Sequence, residues 1–199
     1  MTPEKFVSTT LMKHEGKLSM DPDDSGNWFD RGRYRRGLGP KRGRGELVGS
    51  KYGVTAHALA NFLKVDCVTK ETMVELNRDV AIAIALEDYY RKPKIETLEP
   101  YTRVHLAVLD MAYNAGPTRA IKLLQAAIGA AADGKLGPQT RRMFKDYVLR
   151  FGEEQLMVSY THKRKDYYRS LRNRKYEKGW IRRADSFLPG TSWWSNAGS

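Results

Sequence analysis

Lys13-His14-Glu15-Gly16-Lys17-Leu18-Ser19-Met20-Asp21-Pro22-Asp23-Asp24-Ser25-Gly26 reads as the end of a helix running into a loop that carries acids. Thr2 suits an N-cap and Pro3 the first helical position. Phe6, Val7, Thr10, Leu11 and His14 then recur at helical spacing, and Gly16 is a C-terminal stop. Glu15 therefore falls where helix gives way to loop. A carboxyl there can lean on apolar surface, lose solvent and keep its proton near neutrality. That is what a general acid needs to protonate a leaving sugar oxygen. Asp24 supplies a second carboxylate nine positions on. A solvated helix-end acid and a turn cap are the plainer readings of the two.

Three ordered segments carry a resemblance. Glu15-Gly16, Asp24-Ser25-Gly26 and Ser50-Lys51-Tyr52-Gly53-Val54-Thr55 resemble the Glu-Gly-Gly, Asp-x-Gly-Gly and Thr-Asn-Tyr/Phe-Gly-Ile-Thr motifs of glycoside hydrolase family 108, muramidases found in phage endolysins. Asp110-Met111-Ala112-Tyr113-Asn114-Ala115-Gly116-Pro117, Leu124-Gln125 and Asp133 to Thr140 resemble the peptidoglycan-binding region that accompanies that family. The matched stretches are residues 5–26, 49–60 and 105–145. Lys17 and Asn27 stand where glycines are usual, Ser50 stands where threonine is usual, and a basic insertion at 27–49 separates the motifs. The resemblance implies Glu15 as general acid, Asp24 as the group that positions water or stabilises positive charge, and Ser50 as a holder of that water. It also implies substrate contacts from Tyr52, Gly53, Tyr113 and Asn114. A wall-facing loop would be shaped by Asp133, Gly134 and Gly137.

The 199 residues suit one domain, and no apolar run approaches a membrane-spanning helix. The N-terminus lacks the cationic start and apolar core of a signal peptide, so synthesis in the host cytoplasm is the expectation. Action at the wall or periplasm would then need another protein to release the chain, and the resemblance to phage endolysins implies a holin. The one cysteine, Cys67, excludes an intrachain disulfide and reads as a small buried helix residue. Four scattered histidines, His14, His57, His105 and His162, offer no ligand spacing, so neither metal nor other cofactor is expected. His57 reads as a surface or cap residue.

Net charge is +12 and is concentrated. Residues 31–44 hold seven basic side chains and no acid; residues 163–183 hold ten basic and two acidic, which leaves the remainder about −3. Such patches attract polyanions. Residues 27–49 are glycine-rich and aperiodic, a long loop with room for a short hairpin. Trp28 and Tyr34 in it are candidates to stack on sugars. Gly37-x-Gly39 and Gly43-x-Gly45 lack the strand and the lysine of a phosphate loop.

Thr55 starts a helix with Leu59, Phe62 and Leu63 inward, and Thr69 caps one running to Tyr90. Pro93 and Pro100 mark a connector. Further helices follow from Pro100, after Gly116-Pro117, from Pro138, and over Glu153–Arg172 with Leu156, Tyr160, Tyr167 and Leu171 buried. Trp180, Trp193 and Trp194 suggest a tail folded back or a surface that meets sugar or membrane.

The expected architecture is mainly α and lysozyme-like, a single compact two-lobed domain: residues 1–97 catalytic, 98–199 a helical lobe resembling the peptidoglycan-binding region. The expected activity is cleavage of the β-1,4 bond between N-acetylmuramic acid and N-acetylglucosamine. Peptidoglycan is the expected partner, with anionic outer-membrane lipid a further one through the basic segments. No obligate protein partner is implied, and a monomer is expected. The competing class is a non-enzymatic basic module that binds nucleic acid or anionic wall polymer.

Overall fold

Thr2 caps the first turn as its position suggests: its hydroxyl accepts the Lys5 N–H at 3.2 Å. The computed structural model describes residues 1–12, 17–98 and 102–197. Lys13, His14, Glu15 and Gly16, and with them the expected catalytic acid, lie outside the described residues, as does Pro100. Helix α1 (Pro3–Phe6) passes into a π-helical turn, Val7–Leu11, rather than continuing as one α-helix. Phe6, Val7, Leu11 and Met12 are nonetheless buried, because the wider turn still aims apolar side chains inward.

The chain is mainly α and divides into two compact units, Val7–Leu86 and Met1–Phe6 with Glu87–Ser199. In Val7–Leu86 the residues expected as loop form an antiparallel pair, β1 (Trp28–Phe29) with β2 (Glu46–Leu47), enclosing helix α2 (Arg31–Arg35). The helix was not legible because nothing apolar repeats in it; Asp30 makes it by accepting the Arg33 N–H at 2.9 Å. That bond, foremost, holds the Asp30 carboxyl below its ordinary pKa.

A second pair, β3 (Ser50–Lys51) with β4 (Val54–Thr55), is joined by Tyr52 and Gly53. Both have positive φ, 55° and 72°, the conformation a two-residue hairpin loop requires. Thr55 caps α3 (Ala56–Leu63). Leu59 is buried on that helix, but Phe62 and Leu63 are exposed, so the inward face is Ala56, Leu59 and Ala60. Thr69 and Thr72 form a capping box on α4 (Lys70–Glu75). The expected single helix to Tyr90 is interrupted: Leu76 turns extended to reach the core, and Asn77 Oδ1 caps Val80 at the start of α5 (Arg78–Leu86).

In the other unit, α6 (Thr102–Ala115) is buried on nearly all sides from Val104 to Ala112, as an internal helix must be. Glu153 accepts the Arg103 and Val104 N–H groups at its start. Helix α7 (Pro117–Ala127) follows Gly116 directly. Helix α8 (Pro138–Ser170) is broken at Gly152, where φ is 81° and ψ 160°, so a new helix starts near Glu153 as expected. Leu156 and Tyr160 are buried on it; Tyr167 is half-buried and Leu171 is exposed.

The basic segment 163–183 is not one continuous stretch, since α8 ends before α9 (Arg174–Asp185) begins. Nor do all its charges face solvent: Arg164 and Arg183 both turn to the buried Asp110. The tail folds back. Helix α10 (Ser192–Ala197) buries Trp194, Arg103 lies 4.5 Å over that ring, and Trp193 packs edge-on against Phe6.

Candidate active site

The loop that follows Glu15 is stitched to the β3–β4 hairpin by backbone. Ser19 and Ser50 exchange both hydrogen bonds, Ser19 N to Ser50 O at 2.8 Å and Ser50 N to Ser19 O at 3.0 Å. Ser50 also pairs across the hairpin with Thr55. Its hydroxyl has no partner among the described residues. The side chain is thus available for chemistry while the backbone carries the structure.

Asp24 stands at the head of a 3-10 turn, Ser25–Asn27, and its Oδ1 accepts the Gly26 N–H at 2.8 Å. The cap reading of Asp24 is therefore realised, and the carboxylate still reaches solvent. Gly26 is pressed between this carboxylate and Thr55: a Cβ on it would lie 2.9 Å from Thr55 Cγ2 and 3.2 Å from Asp24 Oδ1. Asp24, Ser19, Ser50 and Thr55 are thereby gathered at one place.

Asn27 is the residue that gathers them. It is fully buried. Its Nδ2 donates to Asp21 O at 2.9 Å and Ser19 Oγ at 3.3 Å, and its carbonyl accepts the Val48 and Gly49 N–H groups. Sequence reasoning noted Asn27 only as a departure from a glycine. The signal that could have marked it is an amide inside a turn flanked by motif residues; the amide's partners lie six and eight positions back and those of its backbone carbonyl more than twenty ahead, which leaves no local trace.

The aromatic candidates of the insertion serve the fold. Trp28 donates its indole N–H to Pro22 O at 2.9 Å and so pins the acidic loop. The Tyr34 ring packs on Phe29 and His57, and its hydroxyl donates to Asn61 at 3.0 Å. His57, expected as a surface or cap residue, is buried in this cluster, and neither ring nitrogen has a hydrogen-bond partner among the described residues. Burial, and after it the Arg33 charge, push its pKa below the ordinary value, so the ring is neutral. Cys67, expected buried in a helix, is exposed and lies beyond the end of α3.

Three of the seven basic residues of 31–44 are spent on ion pairs. Arg31 and Arg35, one helical turn apart on α2, both grip Asp66, and Arg42 pairs with Asp23. The hydrogen bonds from Arg35, then Arg31, hold the Asp66 carboxyl below its usual range. Arg33, Arg36, Lys41 and Arg44 make no ion pair among the described residues.

Tyr52 and Gly53 form the tip of the hairpin next to Ser50. Tyr113 and Asn114 belong to the other unit, near the end of α6. Tyr113 meets Tyr89 edge-on at 5.2 Å, and Asn114 Nδ2 donates to Asp110 O at 2.7 Å.

The sequence model described as Glycosyl hydrolase 108 matches residues 8–116, more than half the chain and all of this site. The chain belongs to the glycosyl hydrolase 108 family. A second model, described as Predicted Peptidoglycan domain, matches residues 119–185 of this family member. Its fold is similar to that in the structure of SagA from Brucella abortus, with a TM-score of 0.66 and 22% identity over 94% of this chain and 92% of that one. No curated protein matches it. This glycosyl hydrolase 108 protein is a glycoside hydrolase with peptidoglycan as its substrate class, which sets aside the non-enzymatic basic module.

Proposed function

We propose that this enzyme is a muramidase that cleaves the β-1,4 bond between N-acetylmuramic acid and N-acetylglucosamine. Glu15 protonates the leaving glycosidic oxygen. Asp24 and Ser50 orient the water that attacks the anomeric carbon, and Asp24 stabilises the positive charge that builds on the ring. The observation that carries this reading is the Ser19–Ser50 bridge, which draws the segment from Ser19 to the Asp24 turn against the Ser50 strand and its hydroxyl. Tyr52 and Gly53 at the hairpin tip, with Tyr113 and Asn114 at the end of α6, are assigned to sugar contact. Trp28 and Tyr34, both half-exposed and tied into the insertion, are assigned to stacking on sugar.

The role is that of a phage endolysin, made in the host cytoplasm, released by a holin and acting on the wall as a monomer. Catalysis falls to the N-terminal half and wall contact to the C-terminal half.

The test is mass spectrometry of the products from purified peptidoglycan, where new muramic-acid reducing ends are expected; glucosamine reducing ends would assign a different bond. In parallel, Glu15→Gln keeps the shape of the side chain and removes the acid. Wall lysis should fall at least about 100-fold with the far-UV spectrum unchanged. Near wild-type clearing of permeabilised cells by this variant would remove Glu15 from the chemistry.

A further inference from the structure

Within the unit that carries the peptidoglycan-domain match lies a cavity of about 420 Å³, the size of a small-ligand site. Its floor is apolar, with Ile121 from α7 and Leu136 from the following loop. Its rim is cationic, with Lys92 and Lys94 from the connector and Lys135 from the loop. Lys92 is already paired with Asp88 at 2.6 Å. Lys94 and Lys135 make no ion pair among the described residues.

Both walls are built rather than draped. The buried Gln125 donates to Asp133 Oδ1 at 2.7 Å, to Thr140 Oγ1 at 3.0 Å and to Lys135 O at 3.1 Å, and accepts the Gly134 N–H at 2.8 Å. These bonds anchor Asp133 Oδ1, and the Gln125 bond first, with the Lys135 N–H and charge after it, holds the pKa of this exposed carboxylate down. Opposite, Lys94 adopts a φ of 63°, and its carbonyl accepts both the Thr97 N–H and the Thr97 hydroxyl. Helix α7 opens into the cavity at Pro117 and Thr118 with no side chain capping it, which adds positive potential.

An apolar floor under two ammonium groups that make no ion pair among the described residues matches a ligand that places a small apolar group beside a carboxylate. Peptidoglycan presents that combination on the stem peptide of N-acetylmuramic acid, where alanine methyl groups lie near free carboxylates; a neutral glycan does not. Resting on the peptidoglycan reading above, we propose that this cavity binds the peptide-substituted muramyl unit of the wall, with Lys94 and Lys135 on a stem carboxylate and Ile121 and Leu136 under its methyl groups. The cavity then makes wall binding depend on the peptide as well as on the sugar.

The experiment is equilibrium titration of the full chain with N-acetylglucosaminyl-N-acetylmuramyl-tetrapeptide, which lacks the bond proposed for cleavage. The same disaccharide peptide with amidated carboxylates, chitobiose and polyglycerol phosphate serve as comparisons. The acidic muropeptide should bind, and the amidated form and chitobiose should bind at least about tenfold more weakly. Lys94→Gln with Lys135→Gln should weaken the acidic form by about tenfold, the scale of one charge-assisted hydrogen bond. Lys94→Arg with Lys135→Arg should retain binding.

Equal binding of acidic and amidated forms, or no effect of the Gln pair, overturns the proposal even if the enzyme releases muropeptides normally. Displacement of the muropeptide from these lysines by polyglycerol phosphate at lower concentration would assign the cavity to phosphate polymers instead. Loss of muropeptide release with lysine-dependent muropeptide binding intact would fail the catalytic reading and leave this one standing.

Discussion

At the scale of single residues, the site separates groups that hold the structure from groups free to do chemistry. Ser50 bonds Ser19 through its backbone alone, whereas Asn27 is buried and bonds through its amide. Ser50→Ala should therefore leave the melting temperature unchanged and slow wall lysis, and Ser50→Thr should keep activity because the hydroxyl stays. Asp24→Asn should slow lysis more than Ser50→Ala, since Asn can still cap the Gly26 N–H while the charge is lost. Asn27→Ala should instead cost about 1–3 kcal/mol of stability in denaturant unfolding, as Ser19 and Asp21 lose a buried donor. A Ser50→Ala enzyme of full activity would displace Ser50 from the proposed water site; an Asn27→Ala protein of wild-type stability would deny Asn27 its structural role. What was legible at this scale is what local chemistry governs: the caps at Thr2, Thr55 and Thr69 and the Asp133-Gly134 turn. His57, Cys67 and Asn27 were misjudged because their environments are set by residues remote in sequence, such as Phe29 around His57.

At the scale of elements, helices with an apolar period were readable and the exceptions have physical causes. The strands are two residues each, too short for any alternation to show. Leu76 leaves the helical path because an extended residue reaches the core there. The least legible tie is the one between α6, α8 and α9, where buried Asp110 takes Arg164 on one oxygen and Arg183 on the other. Burial opposes the Arg164 charge, but Asp110, Tyr168 and Tyr160 together outweigh it and raise its pKa, so Arg164 stays charged. Removing one partner leaves the other charge buried without its counter-ion. Asp110→Ala should cost about 3–5 kcal/mol, read by chemical denaturation of the full chain. Asp110→Ala with Arg164→Met, which also removes the stranded charge, should recover part of that loss. A double variant no more stable than Asp110→Ala would show that the cost comes from packing instead.

At the scale of the whole molecule, the mainly α class and the order of catalytic and peptidoglycan-binding segments were legible from motif order, because motifs survive an insertion that defeats periodicity. The distribution of charge was legible only as a total. The seven basic residues of 31–44 fall into two groups. Arg31, Arg35 and Arg42 secure Asp66 and Asp23; Arg33, Arg36, Lys41 and Arg44 make no ion pair among the described residues, though Arg33 and Arg36 donate to the Gly39 and Gly32 carbonyls. Peptidoglycan is anionic through its lactyl and peptide carboxylates, so those four should assist its capture. Exposed charges are screened beyond about 8 Å at physiological ionic strength. Wild-type lysis at limiting wall should therefore fall as salt is added. Replacing Arg33, Arg36, Lys41 and Arg44 with Gln should lower the low-salt rate and flatten the salt dependence, with a smaller fall in melting temperature than loss of Arg31 and Arg35, since only the exposed Arg33–Gly39 and Arg36–Gly32 bonds go. Replacing Arg31 and Arg35 should instead release Asp66 and lower the melting temperature, because those two shape the insertion. The measurement is a series of lysis rates against ionic strength for the three proteins, with thermal unfolding alongside. Superimposable salt profiles for the wild type and the four-Gln variant would remove the outward charges from substrate capture, and the basic surface would then have to be explained by another partner.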